Sequence, residues 1–259
     1  MWPILEIAEF YFPTYNLILV FGILCGLATL FWSARCKRTT LQFLADHFFS
    51  LLLGSILIAR LTEIWLNNYS LISFPFFWQE NGGFNFCGGI VGFLITLAVI
   101  CRRNNENFLA WLDLSVLSIT STLIFHHIGT FFSGANYGIS TVLPWGVTFT
   151  QPDSAVLTTI PIHPVQIYSA IFTLILFISA VVIFRRTREH GKTGVFLLIT
   201  LSLAYFFLDF LRGDSEPIFG VLRASQYFMI AFIIVSAILA LKMRLSTFVT
   251  SSHEFQIKK

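Results

Sequence analysis

Seven apolar runs, most of them long enough to cross a hydrocarbon layer as helices, account for most of this chain. They lie at about Tyr15 to Trp32, Phe48 to Leu66, Gly88 to Cys101, Phe108 to Phe132, Tyr168 to Phe184, Gly194 to Leu211 and Ala224 to Leu241. Crossing about 30 Å of hydrocarbon takes roughly 20 helical residues. The third run is short and is expected to extend backwards through Phe84 to Cys87. With 56% hydrophobic and 11% charged residues in 259 and a mean hydropathy of +0.79, a soluble core under a polar surface is excluded. The expected fold is all-α: a polytopic membrane protein of about seven transmembrane helices. No internal repeat, heptad pattern or low-complexity linker interrupts it, so residues 1–259 read as a single integral membrane domain.

The basic residues orient those spans. Of 16 Lys and Arg, all but three fall in alternate loops or at their edges: Arg35, Lys37 and Arg38; Arg102 and Arg103; Arg185, Arg186, Arg188 and Lys192; Lys242, Arg244, Lys258 and Lys259. Cytoplasmic loops carry such an excess, which puts the N-terminus outside and the C-terminus in the cytoplasm. The first fourteen residues hold no Lys or Arg, unlike the start of a cleavable signal peptide, so the first span reads as permanent. Only Cys87 among the four cysteines faces outward, and no structural disulfide is expected. The net charge of +3 reflects the inner loops and implies no nucleic-acid partner.

The three exceptions are Arg60, Arg212 and Arg223. Cations inside a span or on the wrong side usually answer a carboxylate or an anionic ligand. The other polar residues of the outer half gather with them by depth: Tyr15, Glu63, Cys87, Gly88, Gly89, His126, His127, His163, Gln166, Tyr168, Asp209 and Gln226. Arg60 sits roughly 9 Å below the end of its span. Two readings of the arginines stay open. Arg60 with Glu63 and Asp209 with Arg212 are spaced to neutralise one another on a helix face. Alternatively, their guanidinium forks grip a lipid phosphate. Two long outer segments, Asn67 to Phe86 with its Phe74-Pro75-Phe76-Phe77-Trp78 cluster and Ser133 to Val165, are expected to cover a site opening to the outer leaflet, with simple packing over helix ends as the alternative.

His163-Pro164-Val165-Gln166-Ile167-Tyr168 resembles the His-Pro-x-Gln-x-Tyr motif of bacterial prolipoprotein diacylglyceryl transferases. Gly82-Gly83-Phe84-Asn85-Phe86-Cys87-Gly88-Gly89-Ile90-Val91-Gly92 is similar to that family's glycine-rich stretch, which ends in His-Gly-Gly-Leu-Ile-Gly. Leu143-Pro144-Trp145-Gly146 and Asp209-Phe210-Leu211-Arg212 continue the likeness, Arg60 matches an arginine of the family's second span, and Tyr15 a tyrosine of its first. The resemblance implies transfer of a diacylglyceryl group from phosphatidylglycerol to the cysteine thiol of a prolipoprotein, with release of glycerol phosphate, in the bacterial plasma (inner) membrane. The implied partners are phosphatidylglycerol, the signal-peptide region that carries the acceptor cysteine, and membrane lipid. No metal and no cofactor is expected. A thiolate is the nucleophile in such a step and the departing phosphate needs stabilising. The resemblance implies His163 as base, Arg60, Arg212 and Arg223 at the phosphate, and Gln166, Tyr168, Gly88, Gly89, Gly129 and Gly138 as substrate-binding positions.

The chain also departs from the family. Cys87 stands where the family has His before Gly-Gly. The family's run Arg-Ile-Gly-Asn-Phe-x-Asn-x-Glu reads His127-Ile128-Gly129-Thr130-Phe131-Phe132-Ser133-Gly134-Ala135. Ile128, Gly129, Phe131 and the following Gly138 persist, while the Arg, both Asn and the Glu do not. His127 is expected to take over part of the lost arginine's hydrogen bonding, as a catalytic group with His163 and Tyr15. Each position has a plainer reading: His163 bonding loop carbonyls at a helix start, His126 and His127 as interfacial helix-end residues, and Cys87 as a small residue admitting close backbones. Two alternatives follow for the whole protein, a paralogue serving another acceptor and a non-catalytic lipid-binding or transport protein. A transporter needs a polar path, and the inner halves of the spans offer little beyond Asp113.

Overall fold

The computed structural model describes residues 3–7, 10–66, 83–218 and 220–257. A hairpin of β1 (Ile4–Ile7) and β2 (Phe10–Pro13) leads into α1 (Thr14–Lys37), followed by a short α2 (Gln42–Asp46), α3 (Phe48–Leu66), α4 (Phe86–Arg103) and α5 (Phe108–Ser133). A second hairpin, β3 (Val147–Phe149) and β4 (Thr158–Ile162), precedes α6 (Val165–Arg186), α7 (Lys192–Leu208), a 3-10 turn at Asp209–Leu211 and α8 (Ala224–Ile257). Seven of these helices are long and apolar enough to cross a membrane, and the mostly helical, multi-pass architecture expected from the sequence is the one found. The third span begins before Gly88, at Phe86, but does not reach Phe84, because Asn85 caps it. The cluster Phe74 to Trp78, Gly82, Lys258 and Lys259 lie outside the described residues.

Large apolar side chains stand on the helix surfaces, with Phe49 80%, Trp65 75% and Phe207 64% exposed. In water such surfaces would drive aggregation, whereas against lipid tails they are the expected exterior. Association of membrane helices then rests on close backbone approach and hydrogen bonds.

The chain divides into two compact units, Met1–Ser33 with Asp113–Lys259, and Ala34–Leu112. In the first unit, α1 meets α5 through Gly22 and Gly26. Ser118 Oγ donates to Gly26 O at 2.7 Å and Thr122 Oγ1 to Gly22 O at 3.2 Å. A Cβ on Gly26 would run into Thr122 Oγ1. In the second unit, α3 and α4 cross at Gly54, Gly88 and Gly92, where a Cβ on Gly88 would lie 2.5 Å from Thr62 Oγ1 and one on Gly92 would strike Gly54 O.

Helix starts follow local chemistry. Asn85 caps α4, its Oδ1 accepting the Gly88 N–H at 3.0 Å. At α8, Gln226 Oε1 reaches back to the Arg223 N–H at 2.8 Å, the reach-back half of a capping box.

Candidate active site

The long connection between α5 and α6 is tied together by backbone pairing. Residues 137–140 run between two other segments. On one side Gly138 N–H donates to His163 O at 3.2 Å and His163 N–H to Ile139 O at 2.9 Å; on the other Ile139 N–H donates to Leu211 O at 2.9 Å and Gly213 N–H to Tyr137 O at 2.8 Å. This pairing brings His163 and Arg212 to either side of Gly138. The approach leaves no room for side chains: a Cβ on Gly138 would lie 2.5 Å from His163 O, and one on Gly213 2.9 Å from Gly138 O. Gly138 therefore has a packing reason of its own.

Arg212 follows the 3-10 turn and is gripped on three sides. Its Nε and Nη2 donate to Asp214 Oδ1 and Oδ2 at 2.9 and 2.8 Å, Nη1 to Asp209 Oδ1 at 3.3 Å, and Nη2 to Asn136 Oδ1 at 3.3 Å. The Asp209 and Arg212 pairing expected from their spacing is present, and Asp214 adds a bidentate partner of the stronger kind. Burial works against the Arg212 charge, yet the hydrogen bonds and charges of Asp214 and Asp209 outweigh it and push its pKa above the ordinary range. A raised pKa on a base already ionised leaves Arg212 cationic at every working pH.

Arg223 behaves differently. Its Nε, Nη1 and Nη2 donate to the backbone carbonyls of Ser215, Asp209 and Arg212 at 3.0, 2.5 and 2.5 Å. These bonds stitch residues 209–215 to the start of α8. Gln166, 1% exposed, donates Nε2 to Ala135 O at 2.6 Å and pins the turn that precedes Asn136, whose φ of 55° is tolerated better by Asn than by most residues.

The three candidate histidines lie in three settings. His127 Nε2 is 2.8 Å from Tyr205 Oη, which is 2.6 Å from Thr173 Oγ1, joining α5, α7 and α6. His126 Nδ1 is 3.1 Å from Tyr15 Oη, and Gly129 lets the start of α1 approach, since a Cβ there would lie 3.0 Å from Tyr15 Cδ2. His163 Nδ1 stands 3.4 Å from Tyr168 Oη, which accepts the Trp145 indole N–H at 2.7 Å.

Arg60, Gly88 and Gly89 belong to the second unit. Arg60 is 1% exposed, donates Nη1 to Gly83 O at 2.8 Å and lies 5.9 Å from the centre of the Phe84 ring, within cation–π range. Gly88 and Gly89 face α3, with the Gly89 position 3.7 Å from Ala59 Cβ.

The sequence reading missed Asn136, Asp214, Tyr205 and Thr173. Tyr205 had a usable signal, four residues before Asp209 and so on the same helix face. Asn136 had none, because only the fold carries it to Arg212.

The prolipoprotein diacylglyceryl transferase family model matches residues 3–242. Similar proteins include a phosphatidylglycerol–prolipoprotein diacylglyceryl transferase of Clostridium tetani, 31% identical over 85% of this chain and 89% of the relative. One of Clostridium perfringens is 30% identical over 87% and 88%, and one of Nitratidesulfovibrio vulgaris 29% over 86% and 87%. A match running in order through every span, across the segments that build the Arg212 and His163 cluster, means that the chain belongs to the prolipoprotein diacylglyceryl transferase family.

Proposed function

We propose that this protein transfers a diacylglyceryl group from phosphatidylglycerol to the cysteine thiol of a prolipoprotein, as a single integral domain of the bacterial plasma membrane with its N-terminus outside and its C-terminus cytoplasmic. The observation that carries the reading is the family match over residues 3–242. In the reaction the acceptor thiol gives its proton to His163, and sulfur attacks the diacylglyceryl carbon that carries the phosphate ester oxygen. The C–S bond forms as the C–O bond breaks, and the electron pair leaves on the phosphate of glycerol phosphate. The signal-peptide region of the precursor presents the thiol.

Arg212 is the group best suited to the phosphate. A guanidinium has five N–H donors, and four hydrogen bonds are formed, so one donor remains. Arg60, buried within the second unit, is carried as a phosphate-binding position by the resemblance alone. Arg223 acts by shaping the Arg212 turn, as Gln166 does by holding residue 135. Gly129 and Gly138 admit close backbones within the first unit and Gly88 and Gly89 within the second, and Tyr168 stands 3.4 Å from His163. His163 is the proposed base, its backbone paired with Gly138 and Ile139, while His127 bonds Tyr205 and Tyr15 bonds His126.

One observation favours a second reading, a phospholipid-binding protein or a transferase for another acceptor. Asp214 and Asp209 already neutralise Arg212, which lowers its pull on a further anion. The experiment is glycerol phosphate release from phosphatidylglycerol by the purified protein with a peptide carrying a lipoprotein-type cysteine, beside Arg212→Lys. Peptide-dependent release that drops on the order of 10²-fold in the variant supports transfer with the guanidinium at the phosphate. Binding of phosphatidylglycerol with no release at any peptide concentration rejects transfer to a cysteine and supports the second reading.

A further inference from the structure

His127 occupies the position at which the resembled family has an arginine, and the obvious expectation is that it supplies a cation there. The hydrogen-bonded chain behind it points elsewhere. Thr173 Oγ1 makes two contacts of 2.6 Å, one to Ser169 O and one to Tyr205 Oη. A hydroxyl has one proton, and a carbonyl only accepts, so the Thr173 proton goes to Ser169. Tyr205 must then donate its own proton to Thr173. With that proton committed, the 2.8 Å contact between Tyr205 and His127 requires His127 Nε2 to be the donor. The hydrogen bond made by one ring nitrogen sets the state of the other. A neutral His127 therefore keeps its lone pair on Nδ1, which has no hydrogen-bond partner among the described residues.

No such constraint reaches His163. Its Nδ1 is 3.4 Å from Tyr168, at the limit of a hydrogen bond, and Tyr168 accepts from Trp145 while retaining capacity to accept again. Among the described residues, the groups acting on His127 are Tyr205 on α7, the adjacent His126 with Tyr15 behind it, and the charge of Arg212. None is a carboxylate.

We infer that Tyr205 and Thr173 are positioning residues that fix His127 as the Nε2–H tautomer, so that this position offers substrate a neutral hydrogen-bond acceptor, Nδ1, in place of a cation. The ligand chemistry is a protic group, either a glycerol hydroxyl of the lipid headgroup or the acceptor thiol. The naming of those two substrates rests on the transferase reading, whereas the tautomer does not. A site built to accept from a hydroxyl discriminates against the analogue lacking it.

The test is nitrogen NMR of the full-length protein, histidine-labelled in detergent, with the His127 signals assigned by their loss in His127→Gln. At neutral pH the expected pattern is a protonated Nε2 and an unprotonated Nδ1, with the tautomers mixing in Tyr205→Phe and in Thr173→Val. A protonated Nδ1 in the unaltered protein overturns the proposal, whether or not the protein shows transferase activity. Adding phosphatidylglycerol but not phosphatidylpropanol, which lacks the hydroxyls, moves the Nδ1 signal if the headgroup is the donor; adding the cysteine peptide moves it if the thiol is. In the headgroup case Tyr205→Phe weakens phosphatidylglycerol binding about fivefold and leaves phosphatidylpropanol binding unchanged. An Nδ1 signal indifferent to both ligands rejects the acceptor role.

Discussion

Asp113 on α5 caps a helix from 78 residues away in sequence, its Oδ2 accepting the Gly191 N–H at 2.7 Å. Its other oxygen, Oδ1, accepts the Gly194 N–H at 2.7 Å, and Asp113 itself is 1% exposed. Gly191 has a φ of 91°, a conformation that suits glycine, and its amide and that of Gly194 at the start of α7 lack helical acceptors. A carboxylate satisfies both and meets the positive end of the helix. The carboxylate that a polar transport path would need at this end of the spans is thus engaged in holding two helices together. Asp113→Asn is expected to lower stability by about 1–3 kcal/mol, read as thermal unfolding in detergent, with Asp113→Ala at least as damaging. Unchanged melting in both variants would refute the cap.

Arg223→Lys keeps the charge but not the fork that spans three carbonyls. It is expected to loosen residues 209–215 against α8 and to cost about 1–3 kcal/mol. Faster proteolytic cleavage between residues 213 and 223, with the remaining helices intact, is the readout; cleavage at the parental rate counts against it.

Asp214 competes with any phosphate for Arg212. Asp214→Asn removes the bidentate partner and is expected to tighten phosphatidylglycerol binding roughly two- to fivefold, the worth of a partly exposed ion pair. Weaker binding in this variant argues that Arg212 serves the loop alone.

Gly138→Ala places a methyl group 2.5 Å from His163 O. The pairing of residues 137–140 must give way, and displacement of His163 and Arg212 by about 1 Å would lower turnover on the order of 10²-fold. Helical content by circular dichroism stays at the parental level, since no transmembrane helix contains the residue. Parental turnover in Gly138→Ala would show that the pairing does not position the site.

The spans were legible because each is a local property, a run of apolar side chains of sufficient length, and Phe48 to Leu66 coincides with α3 to the residue. The pairing of Asp209 with Arg212 is likewise short-range, resting on residues three apart. The two hairpins carry weaker signals: three to five residues per strand, two of them crossed by proline, offer too little alternation to announce a strand.

By itself the sequence determined that the chain lives in a membrane, how many helices are apolar enough to cross it, and at which ends of those helices the polar residues sit, since hydrophobic length and charge distribution act wherever the chain is cut. Only the tertiary structure decided what those residues do. It gave Arg212 its neighbour Asn136 across 76 positions and His127 its neighbour Tyr205 across 78, and it turned Arg223 toward backbone carbonyls. Such partners are chosen by the packing of helices and the pairing of backbone amides, whose donors and acceptors are the same at nearly every residue and so leave no mark in the order of side chains.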